Sequence, residues 1–167
     1  MIASYTAFAI RVFIETSPDN INWISQGIIF HHHLSNPFCC LIKFKGSFAG
    51  SSDRDTAVQI LFSTAAVARY VRLTVVSFNE HSSARWDVLK TSDQSSLVME
   101  KPKYLRVNPA IAQYAFSGCY GNDAPNSGHC RPQIDSDQGW SSVAQNAGWM
   151  SIDMQGATRV AGILLQV

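Results

Sequence analysis

Residues 68–75 read Ala68-Arg69-Tyr70-Val71-Arg72-Leu73-Thr74-Val75. Val71, Leu73 and Val75 share one parity and Arg72 and Thr74 the other, the period-2 signature of a strand with one buried face. This strand is expected to run from Tyr70 to Phe78. Outward from it the same rhythm recurs. Thr56 to Phe62 sets Val58, Ile60 and Phe62 on one side, and Tyr5 to Thr16 does so with Phe8, Ile10, Val12 and Ile14. Trp86 and Val88 mark a short strand, Met150, Ile152 and Met154 alternate with Ser151 and Asp153, and Val160 to Val167 is a more continuous apolar run. Ser17-Pro18-Asp19-Asn20 carries turn chemistry. No segment offers three turns of i, i+3, i+4 spacing with caps. Many short strands between Gly, Ser, Asn and Asp turns predict an all-β sandwich or barrel.

The 167 residues suffice for one ordinary domain or two small ones, and a chain of this length needs no metal or disulfide merely to fold. Only 15% of residues are charged, and 13 Lys and Arg face 12 Asp and Glu for a net +1. A long nucleic-acid footprint needs a clustered basic surplus, so nucleic acid is not an expected partner. No stretch approaches the roughly 20 apolar residues of a membrane-spanning helix, so no transmembrane segment is expected. The apolar start, Met1 to Ile10, lacks a basic flank and reads as strand instead of signal peptide. Four cysteines, Cys39, Cys40, Cys119 and Cys130, are too few for a disulfide scaffold and lack the paired C-x-x-C knuckles of a zinc ribbon.

Two stretches break the strand rhythm. Residues 28–44 carry His31-His32-His33, Asn36-Pro37 and Cys39-Cys40, a composition unlike either flank, which reads as an insertion in a loop. Residues 91–112 are polar at first and carry Pro102 and Pro109, which suits a linker. The pieces on either side, 1–90 and 113–167, each look too poor in strands to close a sandwich alone.

The run Ala68 to Leu73, followed by Ser77-Phe78-Asn79 and Ser83-Ala84-Arg85-Trp86-Asp87-Val88-Leu89, resembles the closing strands of the discoidin domain, also called the coagulation-factor type C domain. Thr16-Ser17-Pro18-Asp19-Asn20-Ile21-Asn22-Trp23 is similar to that family's S-x-D-G-x-x-W hairpin, with Asn20-Ile21 where the family has glycine. Phe48 to Thr56 is similar to its F-x-G-N-x-D-x-x-T segment. Asp137-Gln138-Gly139-Trp140-Ser141, Trp149-Met150-Ser151-Ile152-Asp153-Met154 and Arg159-Val160-Ala161-Gly162-Ile163 resemble its G-W-S, W-L-Q-I-D-L-G and V-T-G-V elements. Residues 1–90 thus resemble the second half of such a domain and 113–167 the first half, in swapped order. The resemblance implies a discoidin-like jelly-roll β-sandwich, either circularly permuted or, as an alternative, cut from a tandem array as an incomplete fragment without independent function. Closure of the two halves into one sandwich within the chain is expected over swapping between chains.

The resemblance also carries the functional expectations. Such domains grip ligands with loops at one end of the sandwich. The corresponding loops here are 120–126, 47–55 and 78–82, and their tips offer Tyr120, Asn122, Asp123, Asp53, Arg54, Asn79, Glu80 and His81 as ligand-binding candidates. These tips are polar, whereas a bilayer spike needs exposed Leu, Phe, Met or Trp, so cell-surface glycan or protein is the expected partner and a phospholipid surface the alternative. The family's terminal disulfide is not reproduced; Cys119 and Cys130 are expected to bridge each other and hold the loop between them, at an extracellular or cell-surface address. Some relatives bind calcium in these loops. Asp53, Asp55 and Asp123 would be the oxygen donors, but no six-to-eight-oxygen shell is evident, and no cofactor is expected. The histidine triplet with Cys39-Cys40 lies along adjacent positions that project in opposite directions, so no specific metal site is expected there. His81 lies near Ser82, Ser83 and Asp87 without a nucleophile elbow, so no enzyme is expected. Trp23, Trp86, Trp140 and Trp149 are expected in the core, and Arg69, Arg85 and Asp153 as structural strand residues.

Overall fold

The computed structural model describes residues 11–30, 43–50, 56–78, 81–92, 103–143 and 148–166. Its strands are β1 (Arg11–Ser17), β2 (Ile24–Ser25), β3 (Ile28–Phe30), β4 (Lys43–Lys45), β5 (Phe48–Ala49), β6 (Val58–Ser77), β7 (Ser83–Thr91), β8 (Tyr104–Arg106), β9 (Tyr114–Phe116), β10 (Trp140–Ser141) and β11 (Trp149–Gln166). Two single 3-10 turns, Ile111–Gln113 and Tyr120–Asn122, are the helical content among the described residues. The fold is all-β and antiparallel. Nine strands form one sheet in the order β10-β7-β11-β6-β1-β2, with β5 on β1, β8 on β7 and β9 on β11, while β3 and β4 pair separately.

Two long strands hold the architecture together. The alternation over 56–62 and that over 70–78 predict two strands, and the structure joins them into the continuous β6. Inward positions along it are Ile60, Phe62 and Ala68, then Val71, Leu73 and Val75, so the buried parity flips between 68 and 71. The physical reason is that Ser63-Thr64-Ala65-Ala66 offers neither Gly nor Pro to stop the chain, only small side chains that let it twist. β11 does the same, running through the segment read as 150–154 and, as far as Gln166, through the one read separately as 160–167. Each strand bulges once against the other: residues 154–157 of β11 face Arg69, and residues 62–65 of β6 face Ala161. Bulges add twist and bend.

The bend divides the sheet into two halves. In one, β1 pairs with the C-terminal half of β6, which pairs with the start of β11 and so with β9. In the other, the start of β6 pairs with the end of β11, which pairs with β7. Side chains from both halves, among them Val12, Ile14, Val71, Leu73, Met150 and Ile152 with Ile60, Trp86, Val88, Ile163 and Leu165, make one apolar core. Strands before residue 92 and after residue 103 therefore share a sheet and an interior, as in a β-sandwich. Within the stretch read as a linker, Tyr104–Arg106 pairs with β7 and Pro109 is buried.

Trp86 and Trp140 are fully buried, as their pattern predicts. Trp23 and Trp149, also expected in the core, are instead half-buried on the outer face. Their rings enclose the Arg72 guanidinium, whose carbon lies 3.7 Å from the Trp23 centroid and 4.7 Å from that of Trp149. The reason is parity, since Arg72 faces away from Val71 and Leu73, and an indole is large enough to cover an arginine stem while keeping one edge in water. Arg69 and Asp153 form a bidentate pair, both contacts 2.8 Å, across the bend.

Candidate functional site at one end of the sandwich

The expected Cys119–Cys130 disulfide is present. It closes a loop whose shape comes from its own polar groups. Asn122 N–H donates to the Cys119 carbonyl at 3.1 Å, Asn126 N–H to Cys130 at 2.9 Å, and Cys130 N–H to Ser127 at 2.8 Å. Turn residues supply the backbone these bonds require: Asn122 and Asn126 take left-handed φ values of 57° and 66°, which asparagine tolerates better than most residues. The Asp123 carboxylate accepts the His129 N–H at 2.7 Å. It lies so close to Gly128, itself at φ 42°, that a Cβ there would come within 2.1 Å of Asp123 Oδ2. Asp123 is thus a structural residue of the loop, and Tyr120, which packs its ring edge-on against His129 at 5.3 Å, remains 61% exposed beside the exposed Asn122.

The loop is fixed to the sandwich by β10. Cys130 bridges to Trp140, Ser141 N–H donates to the His129 carbonyl at 2.9 Å, and the Trp140 indole N–H donates to the Gly118 carbonyl at 3.0 Å. Ser141 pairs with Ser83 at the start of β7, their hydroxyls 2.7 Å apart, and Ser142 N–H donates to Ser82. His81, exposed, bonds through its carbonyl to Ser83 N–H. The structure therefore brings Tyr120, Asn122, Asp123 and His81 onto adjoining segments at one end of the strands. Asp53, Arg54, Asn79 and Glu80 lie outside the described residues, as do Asp55, the histidine triplet and Cys39-Cys40.

The same end holds residues that the sequence reading passed over. Val143 is 55% exposed on the segment after β10. The only signal for it was the Trp140-Ser141 motif beside it, which reads as core. Among the described residues no three His, Cys, Asp or Glu side chains gather as metal ligands. Nor is any helix there long and apolar enough to cross a membrane.

A different polar arrangement lies on the outer face of β7. Asp87 projects away from Trp86 and Val88 yet is buried, because residues 106–109 and 133–136 cover it. Its oxygens accept from Arg106 Nε at 2.9 Å and from the backbone N–H groups of Val88 and Asn108 at 2.7 and 3.1 Å. Beside it the Tyr114 hydroxyl donates to the Trp86 carbonyl at 3.0 Å, and burial, reinforced by the Asp87 charge, pushes its pKa well above the usual phenol range. That tyrosine stays a protonated donor at every physiological pH.

Comparison with protein-family models, with curated proteins and with solved structures finds no match.

Proposed function

We propose that the chain is a discoidin-like, circularly permuted jelly-roll sandwich that acts as a non-catalytic recognition module for cell-surface glycan or protein. Two observations support the architectural part. Strands β1, β6 and β7, which carry parts of the earlier motifs, share one sheet with β10 and β11, which carry parts of the later ones, and β11 runs between β6 and β7.

The functional part rests on the loop at the end of the sandwich. A disulfide and a set of internal hydrogen bonds hold 119–130 in one shape, so binding through it costs little ordering entropy. The loop directs Tyr120 and Asn122 outward, a flat ring and an amide that suit a polar partner. A disulfide persists in oxidising surroundings, which supports an extracellular or cell-surface address. Oxygen donors for calcium are not supported by Asp123, whose carboxylate serves the loop.

A glycan array probed with the whole chain, beside co-sedimentation with phosphatidylcholine vesicles with and without phosphatidylserine, tests this reading. The expected result is glycan or protein binding that Tyr120→Ala abolishes while the melting temperature is kept. Binding to vesicles alone would reverse it in favour of a lipid-surface module, for which the exposed Val143 would be the first residue to change.

A further inference from the structure

The cleft over Asp87 has chemistry that the loop at the end of the sandwich does not share. It has a volume of about 310 Å³ and is lined by Asp87, Arg106, Asn108, Tyr114, Gln133 and Asp135, with Pro109 and Ile134 supplying apolar wall. This is at the small end of the range of ligand pockets, a size suited to a single small molecule.

The lining is partly occupied by its own bonds and partly open. Asp87 takes Arg106 through Nε at 2.9 Å, and the other guanidinium nitrogens of that half-exposed side chain are further donors. The Asn108 N–H is held by Asp87, while its exposed side-chain amide presents a donor and an acceptor. The exposed Asp135 has its backbone N–H held by Gln166 Oε1 at 3.0 Å, and its carboxylate keeps acceptor capacity beyond a long contact of 3.4 Å from Gln166 Nε2. Gln133 is steered by its amide nitrogen to the Pro109 carbonyl at 3.1 Å, which leaves Oε1 as a further acceptor. Asn108 and Asp135, both in the lining, take left-handed φ values of 49° and 64°. Donors and acceptors thus share the lining of one small cavity.

We infer that this cleft is a second ligand site, taking one neutral, polyhydroxylated ring such as a hexopyranose. Adjacent hydroxyls each donate and accept, which matches the guanidinium of Arg106, the amide of Asn108 and the carboxylate of Asp135. The C–H face of a sugar ring suits Ile134, the apolar lining residue that is only part-buried. Charge decides against an anion: Asp87 and Arg106 neutralise each other, and Asp135 leaves the cleft with a negative surplus. The site lies on the outer face of β7, apart from the disulfide loop, and does not depend on that loop's ligand.

The test is titration of the isotope-labelled whole chain with D-galactose, D-glucose and D-mannose, with D-glucuronate as the anionic probe, followed by amide NMR. At least one of the neutral sugars is expected to shift Asn108, Gln133 and Asp135 saturably. Asp135→Asn keeps both the backbone conformation and the Asp87–Arg106 pair, so the fold is retained. It is expected to weaken binding about tenfold, the loss of one hydrogen bond to a charged group. No saturable shift with any neutral sugar overturns the inference, and so do shifts confined to 119–130 and 81–83, a result that leaves the loop's own role standing. Glucuronate binding as tightly as the neutral sugars overturns the assignment of ligand charge.

Discussion

Asp19 shows how much local structure one side chain can set. It follows Ser17-Pro18 at the end of β1, and its Oδ1 accepts the N–H groups of Ile21 and Asn22 at 2.9 and 2.8 Å and the Ser17 hydroxyl at 3.0 Å. Asn20 supplies the left-handed φ of 64° that the turn needs. Because these donors, the Asn22 and Ile21 backbone N–H groups foremost, favour the charged carboxylate, the Asp19 pKa is held well below the ordinary range. A depressed carboxyl pKa contributes stability that is complete above its unfolded value near 3.9 and is lost as pH falls toward its folded value. Asn resembles a protonated aspartic acid, so Asp19→Asn is expected to lower the melting temperature at pH 7, by a gap that starts to narrow below about pH 4 and goes on narrowing to the acid end of the series without closing there. Thermal melts at pH 7, 5, 4, 3 and 2.5 check this, and a gap that stays constant across the series would show that the charge is irrelevant. Asp153, also lowered by Arg69, titrates alike in both proteins and cancels from the comparison.

Among the elements, β11 carries the greatest demand on side-chain size, because it has neighbours on both sides along its second half. Gly162 pairs with Leu61 of β6 and Leu89 of β7, beside the bulge where β6 carries its extra residues. A Cβ at 162 would lie 2.1 Å from the Ile60 carbonyl oxygen, backbone that cannot rotate aside. Gly156, in the opposite bulge, would place its Cβ with nothing within 4 Å. The two glycines therefore make an internal control. Gly162→Ala is expected to cost at least about 2 kcal/mol, an overpacking penalty, whereas Gly156→Ala should change stability by less than about 0.5 kcal/mol. Urea midpoints of the two variants decide it; equal midpoints would mean that β6 and β11 shift freely past each other. The sequence holds both glycines but cannot rank them, since the distinction is made by a strand roughly 100 residues earlier in the chain. The same limit explains the rest of what was legible. Alternation found β1, β7, both halves of β6 and the first half of β11, because burial of one face is a local property, and a continuous apolar run marked the second half of β11. It did not find that the halves are continuous, because a parity flip at Ala68 to Val71 looks the same as a loop between two strands. The loop between Cys119 and Cys130 stood out by its density in Asn, Gly, Pro and Ser, whereas Tyr120 entered as a candidate only through the family resemblance. The cleft at Asp87 did not stand out, because Arg106, Asn108 and Asp135 are distant in sequence and each looks like an ordinary surface residue.

For the whole molecule, the decisive feature is the position of β11 in the sheet. The order β7-β11-β6 places a strand from the last nineteen described residues between two strands that are neighbours in sequence. Without it, β6 and β7 lose their common partner along Val58–Leu61 and Arg85–Leu89, and their unpaired edges would face each other across a gap. Ile60, Val71, Leu73, Trp86 and Val88 would also lose Met150, Ile152, Ile163 and Leu165 from the shared core. The segment after Arg106 is no better off alone, since β9 and β10 are three and two residues long and, among the described strands, pair with β11 and β7 respectively, with a single bridge from Trp140 to Cys130 besides. Each portion is therefore expected to be unfolded when produced separately as residues 1–92 and 103–167, and the two should recover a dispersed amide spectrum and a single unfolding transition on mixing. Two-dimensional NMR of each fragment, then of the mixture, reads this directly. A cooperative melt from residues 1–92 alone would show that β6 and β7 close on each other without β11, and the shared interior would then be an accessory to a domain already complete.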